Sequence, residues 1–256
     1  MTNLTSDELF DFLIAEAEAH FSGWDFSYIA ERESQAPLRW SYVSEALLRV
    51  RKSKAVLDMD TGGGELFSYF APFPPVVFAT EAYAPNIPIA RKHLEPLGVE
   101  VIPLEEDEPR QLPFEAETFD LVLNRHGYYW EPELYRILQP GGVFITQQVG
   151  DHNDIGIRKL LGAPDTSVNI EWADLDEAAA NLQATGFRII KQLEDIYPQR
   201  FYDVGAIVYQ LKAVPWQIPD FSVEGYFEQL RVIHETIQQD GYVDVLEQRF
   251  FIIAQK

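Results

Sequence analysis

Cysteine is absent from this sequence of 256 residues, which excludes disulfides, thiolate nucleophiles and cysteine metal sites. Positive charge is scarce. Twenty Lys and Arg stand against 41 Asp and Glu, a net charge of −21, so the average surface repels nucleic-acid phosphate and anionic membrane. The one basic cluster, Arg49, Arg51, Lys52 and Lys54, falls where a helix should end before a strand, and cations there complement the helix dipole. A solvated helix terminus is therefore preferred to a binding patch. No apolar run approaches membrane-spanning length, and Met1 to Glu8 lack the basic and apolar regions of a signal peptide, so the expected location is cytoplasmic. The five histidines, at 20, 93, 126, 152 and 234, make no H-x-x-x-H or H-E-x-x-H pattern, and no serine sits in a G-x-S-x-G elbow. No metal site is expected.

What is present centres on Ala55 to Glu65. Ala55-Val56-Leu57 run into Asp58, and Gly62-Gly63-Gly64 precede Leu66, Phe67 and Phe70 at helical spacing, which predicts strand, tight turn and helix. Glycines there free the backbone to take positive φ and let a ligand approach without meeting Cβ atoms, beside the unpaired N–H groups of a helix start. The ligand can be narrowed by what the loop lacks. Phe67 falls where the last glycine of G-x-G-x-x-G should be, and no G-x-x-x-x-G-K-[ST] occurs. Asp58, Asp60 and Glu65 bracket the turn and would repel a pyrophosphate, whereas a cationic ligand would be welcome.

At these residues the chain resembles the class I S-adenosylmethionine-dependent methyltransferases, whose first motif is an acid-x-Gly-x-Gly-x-Gly turn after the first strand. Asp58, Gly62 and Gly64 match it, and Asp60 stands in place of the first glycine. Asp tolerates left-handed backbone better than most residues. A second strand, Val76 to Thr80, ends in Glu81, 23 positions beyond Asp58, where a carboxylate can accept from both ribose hydroxyls. Phe119 to Asn124, preceded by Leu112-Pro113-Phe114, resembles the family's fourth strand, and Leu138 to Phe144 its turn into the fifth. The resemblance covers about residues 55–150.

It implies a doubly wound α/β fold: a mostly parallel seven-stranded sheet, helices on both faces, and an antiparallel last strand at Arg249 to Ala254. Strands near 55–59, 76–80, 99–103, 119–124 and 142–149 alternate with helices near 64–71, 86–95, 131–139 and 152–161, as a parallel sheet requires. Asp174 should cap a helix that Gly186 separates from a strand at Phe187 to Ile190. One domain is expected, divided into a helical extension or lid (1–54), a cofactor-binding core (55–193), a helical insertion (194–248) and the last strand (249–256). In the extension, Thr5-Ser6-Asp7-Glu8 has capping-box form. The insertion predicts helices at Phe201 to Leu211 and Phe221 to Gln239, parted by a turn at Pro215 to Pro219. It could select substrate or simply cover the core.

By the resemblance, S-adenosylmethionine, and its product S-adenosylhomocysteine, would be held by Asp58, Met59, Asp60, Gly62, Gly64, Glu81, Ala82, Asn124 and Arg125. An acid from the run Glu105 to Glu108, with Glu108 favoured by its spacing to Leu112, would meet the adenine amine. Trp24, Phe26, Trp40, Tyr42, Tyr128 and Tyr202 are the candidates for a lid or substrate wall, with core packing the alternative for each. His126, just after the fourth strand, could serve as a general base or as a structural hydrogen-bonding residue. The function implied is methyl transfer to a small molecule. The alternatives are an RNA methyltransferase of the rRNA type, which the −21 charge opposes, and a non-catalytic S-adenosylmethionine-binding protein, which Asp60 would suit.

Overall fold

The computed structural model describes residues 4–21, 25–105, 111–150, 153, 155–164 and 174–256. In chain order the described elements are α1 (Ser6–Glu18), β1 (Glu33–Gln35), α2 (Tyr42–Val50), β2 (Ala55–Met59), α3 (Glu65–Ser68), β3 (Val76–Glu81), α4 (Ile87–Leu94) and β4 (Glu100–Pro103). They continue with β5 (Phe119–Arg125), α5 (Glu131–Ile137), β6 (Leu138–Val149), α6 (Ile155–Leu161), α7 (Leu175–Thr185), β7 (Arg188–Phe201), α8 (Val204–Ala213), α9 (Val223–Asp240) and β8 (Val243–Gln255).

The chain forms two compact units. The first gathers residues 1–38, 151–171 and 196–248; the second holds 39–150, 172–195 and 249–256. In the second unit the strand order is β7-β8-β6-β5-β2-β3-β4. Pairs β2–β3, β2–β5, β3–β4 and β5–β6 are parallel, and β6–β8 is antiparallel. From β2 the chain winds to β3 and β4 on one side, then returns to β5 and β6 on the other, so the order reverses between β2 and β5. Ligands in open sheets bind beyond the carboxyl ends at such a reversal. Buried Leu57, Val122, Phe144, Ile252 and Ala254, with Leu134 and Leu182 from the helices, build this unit's core.

Caps and turns form as their residues dictate. Thr5 and Glu8 make the capping box of α1, the Asp174 side chain accepts from the Glu177 N–H, and left-handed Gly186 ends α7. Arg49 pairs with Glu45, and Arg51 donates to the Ala71 and Pro72 carbonyls, so these two members of the basic cluster serve the end of α2.

Three expectations need correction. The described strands number eight rather than seven, because the short β1 pairs antiparallel with the far half of β7 in the first unit. The helix expected over 64–71 is a single turn. The insertion is shorter than 194–248, since β7 runs on to Phe201 and β8 starts at Val243; Phe201 ends a strand, and Asp203 caps α8.

In the first unit, nine of the ten residues of α8 are buried, so this helix is packed on every side. Arg32 forks onto Asp203 with bonds of 2.7 and 2.6 Å and reaches Glu16 at 3.0 Å, joining α1 to the cap of α8. A Cβ on Gly205 would lie 2.6 Å from both Arg32 Nη2 and Phe12 Cζ. No helix among the described residues is long and apolar enough to cross a membrane.

Candidate active site

β2 and β5 lie side by side in register, Met59 opposite Asn124, so the chain leaves both strands at one edge of the sheet. Each exit takes a left-handed residue: Asp60 with φ 51° after β2, and His126 with φ 62° after β5. The two turns are tied together. The Asp60 carboxylate accepts from the Tyr128 N–H at 3.0 Å, and a Cβ on Gly127 would lie 2.6 Å from that of Asp60. Gly127 is thus required for close approach of the loops, although no motif marks it.

The glycine loop is pinned to β3. Thr61 N–H donates to the Thr80 carbonyl at 2.9 Å, Gly62 N–H to Glu81 Oε2 at 2.6 Å, and Tyr83 N–H to Glu81 Oε1 at 2.8 Å. Glu81 therefore holds the loop itself, a role the sequence reading missed. Gly62 and Gly64 differ in purpose. Gly62, at φ 65°, has open space where a side chain would be, whereas a Cβ on Gly64 would meet Leu94 Cγ at 2.7 Å. Gly64 serves the packing of α4, and Gly62 leaves the room.

The electrostatics suit a cation. Burial pushes the Asp58 carboxyl up to about 7, helped by the nearby Asp60 and Glu81 carboxylates and opposed by the Thr61 side chain and Arg125. Burial also raises Glu81, against the bonds from backbone N–H groups, that of Tyr83 foremost. The Tyr42 hydroxyl is sealed from solvent without a hydrogen-bond partner. Burial, and then Asp58, drive the Tyr42 hydroxyl well above its ordinary value. Among the described residues no group of three His, Asp or Glu could hold a metal ion.

Residues 57–146 match the model of the methyltransferase domain. Over this stretch the chain is similar to the methyltransferase domain family. A putative methyltransferase from Bacillus halodurans C-125 is 21% identical, with 85% of this chain and 99% of that one covered at a TM-score of 0.58. The YcgJ protein of Bacillus subtilis is 16% identical, with 84% and 97% covered at 0.55. The [4+2]-cyclase SpnF is 14% identical, with 98% and 96% covered at 0.51. No curated protein matches the sequence.

The sheet gathers Asp58, Met59, Asp60, Gly62, Glu81, Ala82, Asn124, Arg125, His126 and Tyr128 on the carboxyl ends of β2, β3 and β5 and the loops after them. Asn124 is spent on structure. It is fully buried, and its Oδ1 accepts from Thr146 and Gln148. Trp40 and Tyr42, at the start of α2, pack on Phe251 of β8. Tyr128, Tyr129 and Trp130 line a recess with Met59 and Leu112, and Tyr129 also packs on core Phe144. Trp24 and Glu108 lie outside the described residues. Phe26 and Tyr202 belong to the first unit, where Phe26 packs on Phe21 and the Tyr202 hydroxyl meets Ser34. Gln147 was not anticipated. Its signal is a polar pair, Gln147-Gln148, that follows the apolar run Val143-Phe144-Ile145 in β6.

Proposed function

We propose that the protein transfers a methyl group from S-adenosylmethionine to a small-molecule acceptor. The observation that carries this reading is the loop around Gly62, where open space is bordered by the buried carboxylates of Asp58 and Glu81 and by Asp60. A ligand bearing a sulfonium and an ammonium but no phosphate fits that charge, and a pyrophosphate does not. The orphaned Tyr42 hydroxyl gives such a ligand a polar partner that the protein itself leaves unused.

When bound, S-adenosylmethionine supplies an electrophilic methyl group on sulfur. Glu81 would hold the ribose hydroxyls, since each carboxylate oxygen keeps a lone pair after accepting one backbone N–H. Asp58 would face the cationic end. The remaining work of the chain is alignment and exclusion of water, which suffices for in-line displacement at a reactive sulfonium. A net charge of −21 favours a small acceptor over RNA.

Asp60 keeps a second reading alive, a binding protein without transferase activity, because it replaces a glycine of the family motif; the [4+2]-cyclase among the fold's neighbours is a reminder that this architecture also carries other chemistry. One experiment separates these. Calorimetry with S-adenosylmethionine measures binding, and incubation with the methyl-labelled compound and a metabolite extract measures transfer. Binding with transfer supports the proposal, binding without transfer supports the second reading, and no binding removes both.

A further inference from the structure

Trp40 and Gln147, 107 positions apart in sequence, are joined by a bond of 2.9 Å from Trp40 Nε1 to Gln147 Oε1. An indole N–H can only donate, so this contact decides which end of the Gln147 amide is oxygen. The other end, Nε2, lies 3.4 Å from His126 Nε2. An amide NH₂ offers no lone pair, so His126 Nε2 is the acceptor and carries no proton. The ring is neutral, because burial, and then the charges of Arg125 and Arg249, hold its pKa well below the ordinary histidine value. A neutral imidazole with a bare Nε2 has its proton on Nδ1.

That Nδ1 makes no hydrogen bond to the described residues and is not sealed from solvent. The backbone of His126 is left-handed, and its N–H is anchored to the Gln147 carbonyl at 2.9 Å. Strain of this kind persists at functional sites where the surroundings impose it. The far end of the relay is immobilised: the Trp40 ring stacks on Phe251 at 5.9 Å, and Tyr42 meets the same ring edge-on at 6.4 Å.

We propose that the Trp40–Gln147 relay locks His126 as an Nδ1–H hydrogen-bond donor, a positioning residue that takes a methyl acceptor by an oxygen lone pair of a carbonyl, carboxylate or phenolate group. The word acceptor rests on the methyl-transfer reading; the tautomer is a property of the free chain. The base expected at this position is replaced, because the lone pair of His126 is already engaged by Gln147. The nucleophilic atom must therefore arrive without a proton that needs His126 to remove it.

The test is a two-bond ¹H–¹⁵N correlation spectrum of protein labelled in histidine, between pH 6 and 8, with His126 assigned through His126→Asn. The Nδ1–H pattern is expected throughout; an Nε2–H or doubly protonated pattern overturns the proposal. Trp40→Phe removes the donor that orients the amide, and loss of the single tautomer is expected; an unchanged pattern in folded protein overturns the relay. Should that variant fail to fold, Gln147→Glu accepts from both neighbours and is expected to draw the proton to Nε2. Acetophenone and ethylbenzene then serve as matched probes. A shift of the His126 Nδ1 signal with acetophenone alone supports the oxygen acceptor, and an equal or absent response to both overturns it. Failure of label transfer with the tautomer intact would remove the methyl-transfer reading and leave the relay standing.

Discussion

Asp58 makes a quantitative demand on pH. Its folded value of about 7 exceeds the unfolded reference of about 3.9 by about 3 pH units, which corresponds to about 4 kcal/mol at 1.36 kcal/mol per unit. The folded chain holds the Asp58 proton more tightly than the unfolded chain does. The associated stability is therefore fully present below about pH 4 and is lost as the pH rises through about 7. A bound cation reverses the preference, because it favours the ionised carboxylate and returns the group towards its ordinary value. Affinity for S-adenosylmethionine should accordingly rise ~5-fold from pH 6 to 7 and ~10-fold in all by pH 8, where it levels off, with close to one proton released per ligand at pH 6. Calorimetry at pH 6, 7 and 8, in buffers of different ionisation heat, measures both quantities. Asp58→Asn should abolish the proton release and flatten the dependence of melting temperature on pH between 5 and 8. Affinity that stays flat from pH 6 to 8 in the parent, or equal proton release in Asp58→Asn, would refute the reasoning.

Other substitutions probe the supports of the site. Gly64→Ala should lower stability by about 1–3 kcal/mol, since the new Cβ meets Leu94 at 2.7 Å on a residue with φ 79°; a melting temperature within a degree of the parent would show that α4 yields. Asp60→Gly relieves about 1 kcal/mol of left-handed strain but loses a charged bond to the Tyr128 N–H of about 1.5–3 kcal/mol, so a net loss is expected, with Asp60→Asn close to the parent. Denaturant titration ranks the three, and a Gly variant more stable than both others refutes the role given to that bond. In the first unit, Arg32→Met strands Asp203 and Glu16, whose side chains are 9% and 7% exposed; about 3 kcal/mol of stability should be lost, and an unchanged denaturation midpoint would mean that water replaces the guanidinium.

Features set by neighbouring residues were legible in the sequence, and those set across the fold were not. Asp60 takes the left-handed turn that its short polar side chain permits, and Asp174 and Gly186 delimit α7 as cap chemistry requires. The far half of β7 was hidden by Pro198, which argues against a strand; the proline is tolerated because it needs only its carbonyl, which accepts from Ala36. Glu33-Ser34-Gln35 carries no apolar alternation, so β1 left no pattern to read. Gly62 and Gly64 look alike in sequence, and only Leu94, thirty positions beyond Gly64, tells them apart. The relay from Trp40 to His126 depends on strand register, which single-sequence patterns do not reveal.

The clamp formed by Arg32, Glu16 and Asp203 has a consequence for the order of events during synthesis. Arg32 and Asp203 are 171 positions apart, so α1 leaves the ribosome long before the helix it packs against exists. At ~5–20 residues per second the wait is roughly 10–35 s, during which the apolar face of Leu9 and Leu13 has no α8 to cover it. The first unit must close late, and its amino-terminal helix must remain available until the second unit's central strands have been made.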